Sequence, residues 1–344
     1  MANPTTTSTL AAINSYLDRK SLSRPIDKAV HSNIPGQRKV TIPQKNSAVY
    51  KVTRMESLSP TGGTGLSTIR AITEGVVPTN VAPSRTTLTA TASQYGGYVS
   101  WTDQVQWLNE VDVKADLFEV VAEWRDRVRD FVVRDSIVAG TNVFRLEDEV
   151  GGISGAARVN VAGRINAAAL DKAIRDLEAG NADRVTSAIQ AGSGEGTSPV
   201  RASYVALIHP HVKYDLEQVP GYKSVVEYGS QSGVLPNECG SYKDIRFILS
   251  TGCKVFADAG ATKASTVSTT GTDSDVYVTL VFGKDAIATV ELADSNEMIY
   301  QPPGSAGTAD PLKQVQTLGF KTFQTALILN DDLMLRIESV ASAA

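Results

Sequence analysis

The sequence predicts an α+β chain, and three observations predict it. Residues 86–142 join a strand pattern to a helix pattern, each long for its type. Residues 34–79 form extended, polar, Gly- and Pro-punctuated text with too little apolar content to fold alone. Residues 151–309 mix short apolar strands with short helices, as in a layered α/β sandwich.

Within 86–142, Leu88, Ala90 and Ala92 alternate with Thr87, Thr89, Thr91 and Ser93. That period of two predicts a long strand with one half-buried face, bent or bulged at Gly96-Gly97. The period then changes. Leu117, Val120, Val121, Trp124, Val128, Phe131, Val132 and Val138 recur at helical steps, opposite Glu119, Glu123, Asp126, Arg127, Arg129, Asp130 and Arg134. Glu123 with Arg127, and Asp130 with Arg134, are i,i+4 pairs, and Gly140 is placed to cap the end. A helix over 113–139 would be roughly 40 Å long, a scaffold length that carries no reaction site.

Taken in chain order, residues 1–10 are Thr/Ser-rich and predicted to lack order of their own. Val40 and Ile42, then Val49, Val52 and Met55, read as two strands of a hairpin, and residues 69–72 as a return strand. After the long helix, Asn166 caps a compact helix with the stripe Leu170, Ala173, Ile174 and Leu177, stopped at Gly180. Strands are predicted over 204–208, 245–249, 253–256 and 276–282, and helical segments over 211–218 and 284–288. Near the end Leu333, Leu335 and Ile337 alternate with Met334, Arg336 and Glu338, after a turn at Asn330-Asp331-Asp332.

Composition narrows the function classes. With 344 residues, 42% of them hydrophobic, the chain can bury a substantial core. No apolar run approaches a bilayer span of about 20 residues, so no membrane partner is expected, and the N-terminus lacks the order of a signal peptide. The two cysteines, Cys239 and Cys253, cannot make a disulfide framework and read as buried thiols. The net charge of −4 hides a split: residues 1–70 hold ten Lys/Arg against three Asp/Glu, +7, leaving −11 for the rest. The basic segment either lies on a neighbouring copy's acidic surface, faces nucleic acid, or is a solvated arm.

Motif chemistry is weak throughout. His209-Pro210-His211 reads as a strand-end turn, because a metal needs three or four ligands. Asp273-Ser274-Asp275 lacks the Gly and Glu of a calcium loop, and Asp331-Asp332 suits a polar turn. The glycines of 62–65 lack a following Lys-Ser/Thr, and those of 192–196 lack a strand-to-helix context. With only Tyr50 among its cations, the basic segment offers no base-stacking platform, so DNA contact would be sequence-independent. Trp101, Trp107 and Trp124 read as core or subunit anchors. No catalytic residue, metal or cofactor is expected.

The runs YKVTRMESL, ITEGVVP, LTATASQYGGYVSWTD and LFEVVAEWRDRVRDFVVRDSIVAGTNV, with the ending DPLKQVQTLGFKTFQTALILNDDLMLRIESV, resemble the major capsid proteins of tailed bacteriophages. The nearest branch is the one named after coliphage N-four. The resemblance implies the Hong Kong 97-type capsid fold. Residues 1–33 would form the N-terminal arm, 34–79 the extended loop, 80–150 with 310–344 the peripheral domain with its spine helix, and 151–309 the axial domain. It implies a structural protein, not an enzyme, that self-assembles into hexamers and pentamers of an icosahedral shell around double-stranded DNA. Partners would be further copies of the chain, a portal, and scaffold or decoration proteins. Its location would be the virion, after assembly in the bacterial host cytoplasm. Arg38, Lys39, Lys45, Lys51, Arg54, Glu119, Glu123, Arg127 and Arg134 are the expected inter-subunit contacts. Lys45 and Lys51 also lie in the segment where some capsids of this fold cross-link Lys to Asn, though no residue pattern here calls for that chemistry. A tail or surface-layer protein, or a small α/β enzyme built on the middle region, are the alternatives.

Overall fold

In a computed structural model of the chain, the described residues are 29–45, 47–56, 74–77, 82–108, 113–148, 153–154, 157–186, 202–228, 233–305, 307 and 310–343. The elements in order begin β1 (Arg38–Ile42), β2 (Val49–Met55), β3 (Arg85–Thr91), β4 (Ser93–Thr102), α1 (Asp103–Leu108), α2 (Val113–Val138), β5 (Val143–Leu146) and β6 (Ile153–Ser154). Then come α3 (Ala167–Ala179), β7 (Tyr204–Ile208), α4 (Pro210–Glu217), β8 (Tyr222–Ser224), β9 (Glu238–Tyr242) and β10 (Ile245–Leu249). The last are β11 (Val255–Phe256), β12 (Val276–Phe282), β13 (Ile287–Leu292), β14 (Glu297–Gln301), β15 (Val315–Ile328) and β16 (Met334–Ser339). The predicted strand over 69–72 and the Gly-rich stretches at 62–65 and 192–196 lie outside the described residues.

The chain divides into two compact units. The larger holds Asp27–Tyr95, Asp126–Glu297 and Lys321–Ala344. Its centre is a sheet ordered β6-β5-β16-β12-β7-β10-β9-β8, with β11 also paired to β12. The continuous apolar runs of β7 and β12 are buried on both faces, as such runs require. Tyr204, Ala206 and Ile208 of β7 pack into one core with α3 and α4. Val205 and Leu207 pack into the other with Val133 and Ile137 of α2. Helix α3 follows its sequence signals: Asn166 accepts a hydrogen bond from the Ala169 amide (2.9 Å), and Leu170, Ala173, Ile174 and Leu177 are buried. Strands β10 and β12 have the bounds that the sequence predicts.

Several expectations are corrected. Strands β1 and β2 do not form a hairpin: β1 pairs in parallel with β13, and β2 pairs antiparallel with β3, from Val49↔Thr91 to Met55↔Arg85. A partner some 250 positions away decides β1, which no local pattern reveals. The strand break falls at Ala92, not at Gly96-Gly97, because beyond Thr91 the chain leaves β2; the Ala92 amide donates to the Ala48 carbonyl at 2.9 Å. Residues 284–288 turn at Asp285 (φ 57°) and enter β13, whose β-branched side chains favour a strand. Strand β16 is buried along its whole length, Arg336 and Glu338 included, because sheet neighbours and both cores enclose it. On α2 the core residues are Val121, Asp130, Val133, Ile137 and Val138, while Val120 and Trp124 stay exposed. Asp130, expected on the polar face, is therefore interior. Gly140 does not adopt the left-handed cap conformation; an added Cβ would stand 3.1 Å from both Asp331 and Met334.

The smaller unit holds, among the described residues, those of Gly96–Arg125 and Met298–Phe320, and residues 1–28 lie outside the described residues. In it β4 and β14 both pair with β15. Tyr300 is its hub. Trp101 stacks on the Tyr300 ring (centroids 6.2 Å), Phe118 packs at 6.0 Å, and the Lys114 ammonium sits 4.1 Å over the ring. The Tyr300 hydroxyl donates to Gln316, whose amide donates to Gln106. Gly97 is needed for packing: a Cβ there would lie 2.2 Å from the Trp124 ring, whose edge meets Phe320 at 5.0 Å.

Candidate assembly surfaces

The β2–β3 ribbon is the least self-sufficient part of the larger unit. Its burial alternates between exposed and half-buried, and only Ala90 is fully buried. A two-stranded ribbon of this kind is marginal in water without a further layer. Its cross-strand clasp is polar. Arg54 donates to Glu56 through Nε (3.1 Å) and Nη2 (2.9 Å), and the Thr86 hydroxyl donates to the same carboxylate at 2.8 Å. These donors, Thr86 first, hold the Glu56 carboxyl below its ordinary range. Met55 is 65% exposed at the far end of β2.

The expected contact residues fall into two groups. Arg38, Lys39, Lys45 and Lys51 are exposed on or beside β1 and β2, as are Glu119 and Arg127 on α2, with Glu123 half-buried. Lys39 donates to Asn33 (3.0 Å), and Lys45 occupies a left-handed turn (φ 61°). Arg54 and Arg134 are already engaged at home. The Arg134 guanidinium stacks over Phe131 (4.2 Å) and donates to the Gly252 carbonyl and to Asp135, both at 3.0 Å. Asp130 turns to His31 (2.7 Å) and to the Ser32 amide (2.9 Å), and so not to Arg134.

In the smaller unit, α1 presents Trp107 and Leu108, and β4 presents Tyr98, each more than 70% exposed. Side chains of this size in the open are the usual mark of a protein contact. Of the three tryptophans only Trp101 is fully buried.

The described residues 225–228 and 233–237 are braced from the first residue of β9. The Glu238 side chain is wholly buried and accepts from Arg246 (2.6 Å), the Tyr228 hydroxyl (2.8 Å) and the amides of Val234 (2.8 Å) and Leu235 (3.0 Å). Sequence reasoning missed this brace, because its side-chain donors Arg246 and Tyr228 stand eight and ten positions from Glu238 with no periodicity linking them. It also missed a cation cluster at β16. Glu338 is buried and meets Arg145 (3.1 Å), Arg158 (2.9 Å) and Arg336 (3.1 Å).

The weak chemical motifs resolve into local structure. His209 caps α4 by accepting from the His211 amide (3.2 Å), and His211 Nδ1 meets the Tyr277 hydroxyl at 2.7 Å. Asp275 accepts from the Asp258 amide at 2.9 Å and from Thr269. Asp331 accepts from the Thr141 hydroxyl at 2.6 Å. Among the described residues no set of three or more His, Cys, Asp or Glu side chains is placed to hold a metal, and no helix is long and apolar enough to cross a membrane.

No protein-family model matches the chain, and no curated protein matches it. Solved structures do. The capsid of Ralstonia phage GP4 aligns over 96% of this chain and 95% of its own, with a TM-score of 0.67 at 11% identity. The capsid of Cyanophage P-SCSP1u aligns over 96% and 93%, with a TM-score of 0.62 at 14% identity. The chain has the Hong Kong 97-type capsid fold. The SrpI encapsulin of Synechococcus elongatus PCC 7942 also aligns, over 96% of this chain and 93% of its own, at a TM-score of 0.52 and 8% identity. In a capsid fold, the coreless ribbon, the open Trp107, Leu108 and Tyr98 and the braced loop are surfaces to be read for contacts between copies.

Proposed function

We propose that this chain is the major capsid protein of a tailed bacteriophage, forming hexamers and pentamers of an icosahedral shell around double-stranded DNA. One observation carries the reading. A capsid-type fold spanning almost the whole chain extends a polar two-stranded ribbon that has no core of its own. Such a ribbon gains its missing layer from a neighbouring copy. In this reading the ribbon belongs to the extended loop, residues 1–33 are the arm, α2 is the spine helix, and the loop at 222–236 lies near the capsomer centre. The expected peripheral (80–150 with 310–344) and axial (151–309) segments share the large sheet through β5, β16, β12 and β7. Arg38, Lys39, Lys45, Lys51, Glu119, Glu123 and Arg127 are the candidate contacts between copies. Arg54 and Arg134, held within the subunit, are weaker ones.

The role is structural. A portal, scaffold or decoration proteins, sequence-independent contact with packaged DNA, a virion location and assembly in the host cytoplasm belong to the same reading. The encapsulin match gives a second reading, an encapsulin-type role in place of a phage capsid. Nuclease-protected double-stranded DNA in native particles selects the first, and its absence selects the second.

The assembly role has a direct test. The Ala92 amide is bonded to the Ala48 carbonyl, so residues 49–91 leave and rejoin the unit at one point. Excising them behind a short Gly link is expected to leave folded, soluble subunits that make no shells in electron micrographs. Normal shells from that variant would overturn the role given to the ribbon.

A further inference from the structure

We infer that the edge of the large sheet at β8, β9 and β10 holds a binding site for a small phosphate anion of the pyrophosphate class. A cavity of about 370 Å³ opens there, lined by Ser203, Gly221, Lys223, Ser241, Lys243 and Arg246. That size falls within the range of small-ligand sites, roughly 300–1,000 Å³. Three of the six residues are cations, two carry hydroxyls, and the sixth is a glycine. Among the described residues that line it, none is acidic and none is large and apolar.

Two of the cations have unused capacity. The side chain of Lys223, exposed on β8, has no hydrogen-bond or ion-pair partner among the described residues. Arg246 is 9% exposed, and its buried Nε–H has no partner although Nη1 donates to Glu238 at 2.6 Å. That Nε–H is closed off from solvent, so what Arg246 brings to the cavity wall is the charge of its guanidinium. Lys243 is turned into position by its left-handed backbone (φ 47°) and donates to Asp171 at the rim. Gly221 (φ 93°) carries the backbone into β8 beside the Tyr242 ring.

A phosphate group suits this set better than a carboxylate. Tetrahedral oxygens can meet donors arriving from three strands, whereas a carboxylate offers two oxygens in one plane. Occupation would have a structural consequence, because Arg246 also holds Glu238, the brace of the loop residues before β9. An anion held against that guanidinium would tie the cavity to the loop through one side chain.

The test uses the full-length subunit and does not depend on the assembly reading. Titration with pyrophosphate at constant ionic strength, followed by calorimetry, should give saturable 1:1 binding that weakens as salt is raised. Lys223→Ala should weaken it about tenfold while the far-ultraviolet spectrum stays unchanged, and Lys223→Arg should restore most of it. Acetate at equal ionic strength should not compete. No saturable pyrophosphate binding, or binding indifferent to Lys223→Ala, would overturn the site. Equal competition by acetate would reassign it to a carboxylate, and displacement of pyrophosphate by a short DNA duplex would reassign it to nucleic acid. Either outcome leaves the capsid role standing, and failure of the shells to form leaves the anion site standing.

Discussion

The imidazole Nδ1 of His31 lies 2.7 Å from Oδ2 of Asp130, with both residues buried and 99 positions apart in the chain. The other carboxylate oxygen accepts from the Ser32 amide at 2.9 Å. The segment leading to β1 is thus fastened to the middle of α2 by one acidic side chain. Nearby, Gln37 donates to the Ser32 carbonyl and accepts from Thr289, and the Asp285 amide donates to the Gly36 carbonyl (2.8 Å).

Asp130→Ala is expected to destabilise the subunit by about 3 kcal/mol, since it strands two buried donors at once. Urea unfolding measures the loss. Hydrogen exchange should show the Ser32 amide among the first to lose protection.

Burial, and then the charge of Asp130, push the Cys253 thiol from an ordinary value near 9 up to about 12. The folded form therefore keeps a proton that the unfolded chain releases between pH 9 and 12. Stability is intact below pH 9 and falls through that window by roughly 1.4 kcal/mol per unit for this group. Cys253→Ala should flatten the alkaline slope by one proton's worth. At pH 8, iodoacetamide should modify Cys253 only after unfolding.

Gly97→Ala should cost roughly 1–3 kcal/mol, because the new methyl collides with the rigid Trp124 ring. Combining it with Trp124→Ala should cost less than the two single changes added together. A double-mutant cycle in urea checks the coupling, and the single variant should also show shifted tryptophan emission.

Much of the fold was legible where the signal is local. Asn166, the stripe behind it and Gly180 announce α3, and the apolar runs of β10 and β12 announce both strands. What stayed hidden depends on partners distant in the chain. Val40 and Ile42 look alike whether β1 pairs with β2 or with β13. Asp130 looks like a solvated helix residue until His31 arrives, and Arg336 and Glu338 look like an open strand face until Arg145 and Arg158 close over them. Of the candidate surface, the ribbon's lack of a core was visible in its polar composition. The strand that completes it was not, because Thr87, Thr89 and Thr91 read equally well as the start of the following strand.

Glu238→Ala should remove the acceptor for Arg246, Tyr228 and two loop amides together. About 3 kcal/mol of stability is expected to go with it, and limited proteolysis should cut first within 225–237. If that loop lies near the capsomer centre, the variant should also yield fewer closed shells than wild type at equal subunit concentration.

The hydrogen bond from Ala92 to Ala48 gives the β2–β3 excursion a single neck. A segment that departs and returns at one place can be lengthened, shortened or exchanged without rerouting any other strand. Changes in how far one copy reaches toward another can then accumulate in this segment while the sheet behind it keeps its register.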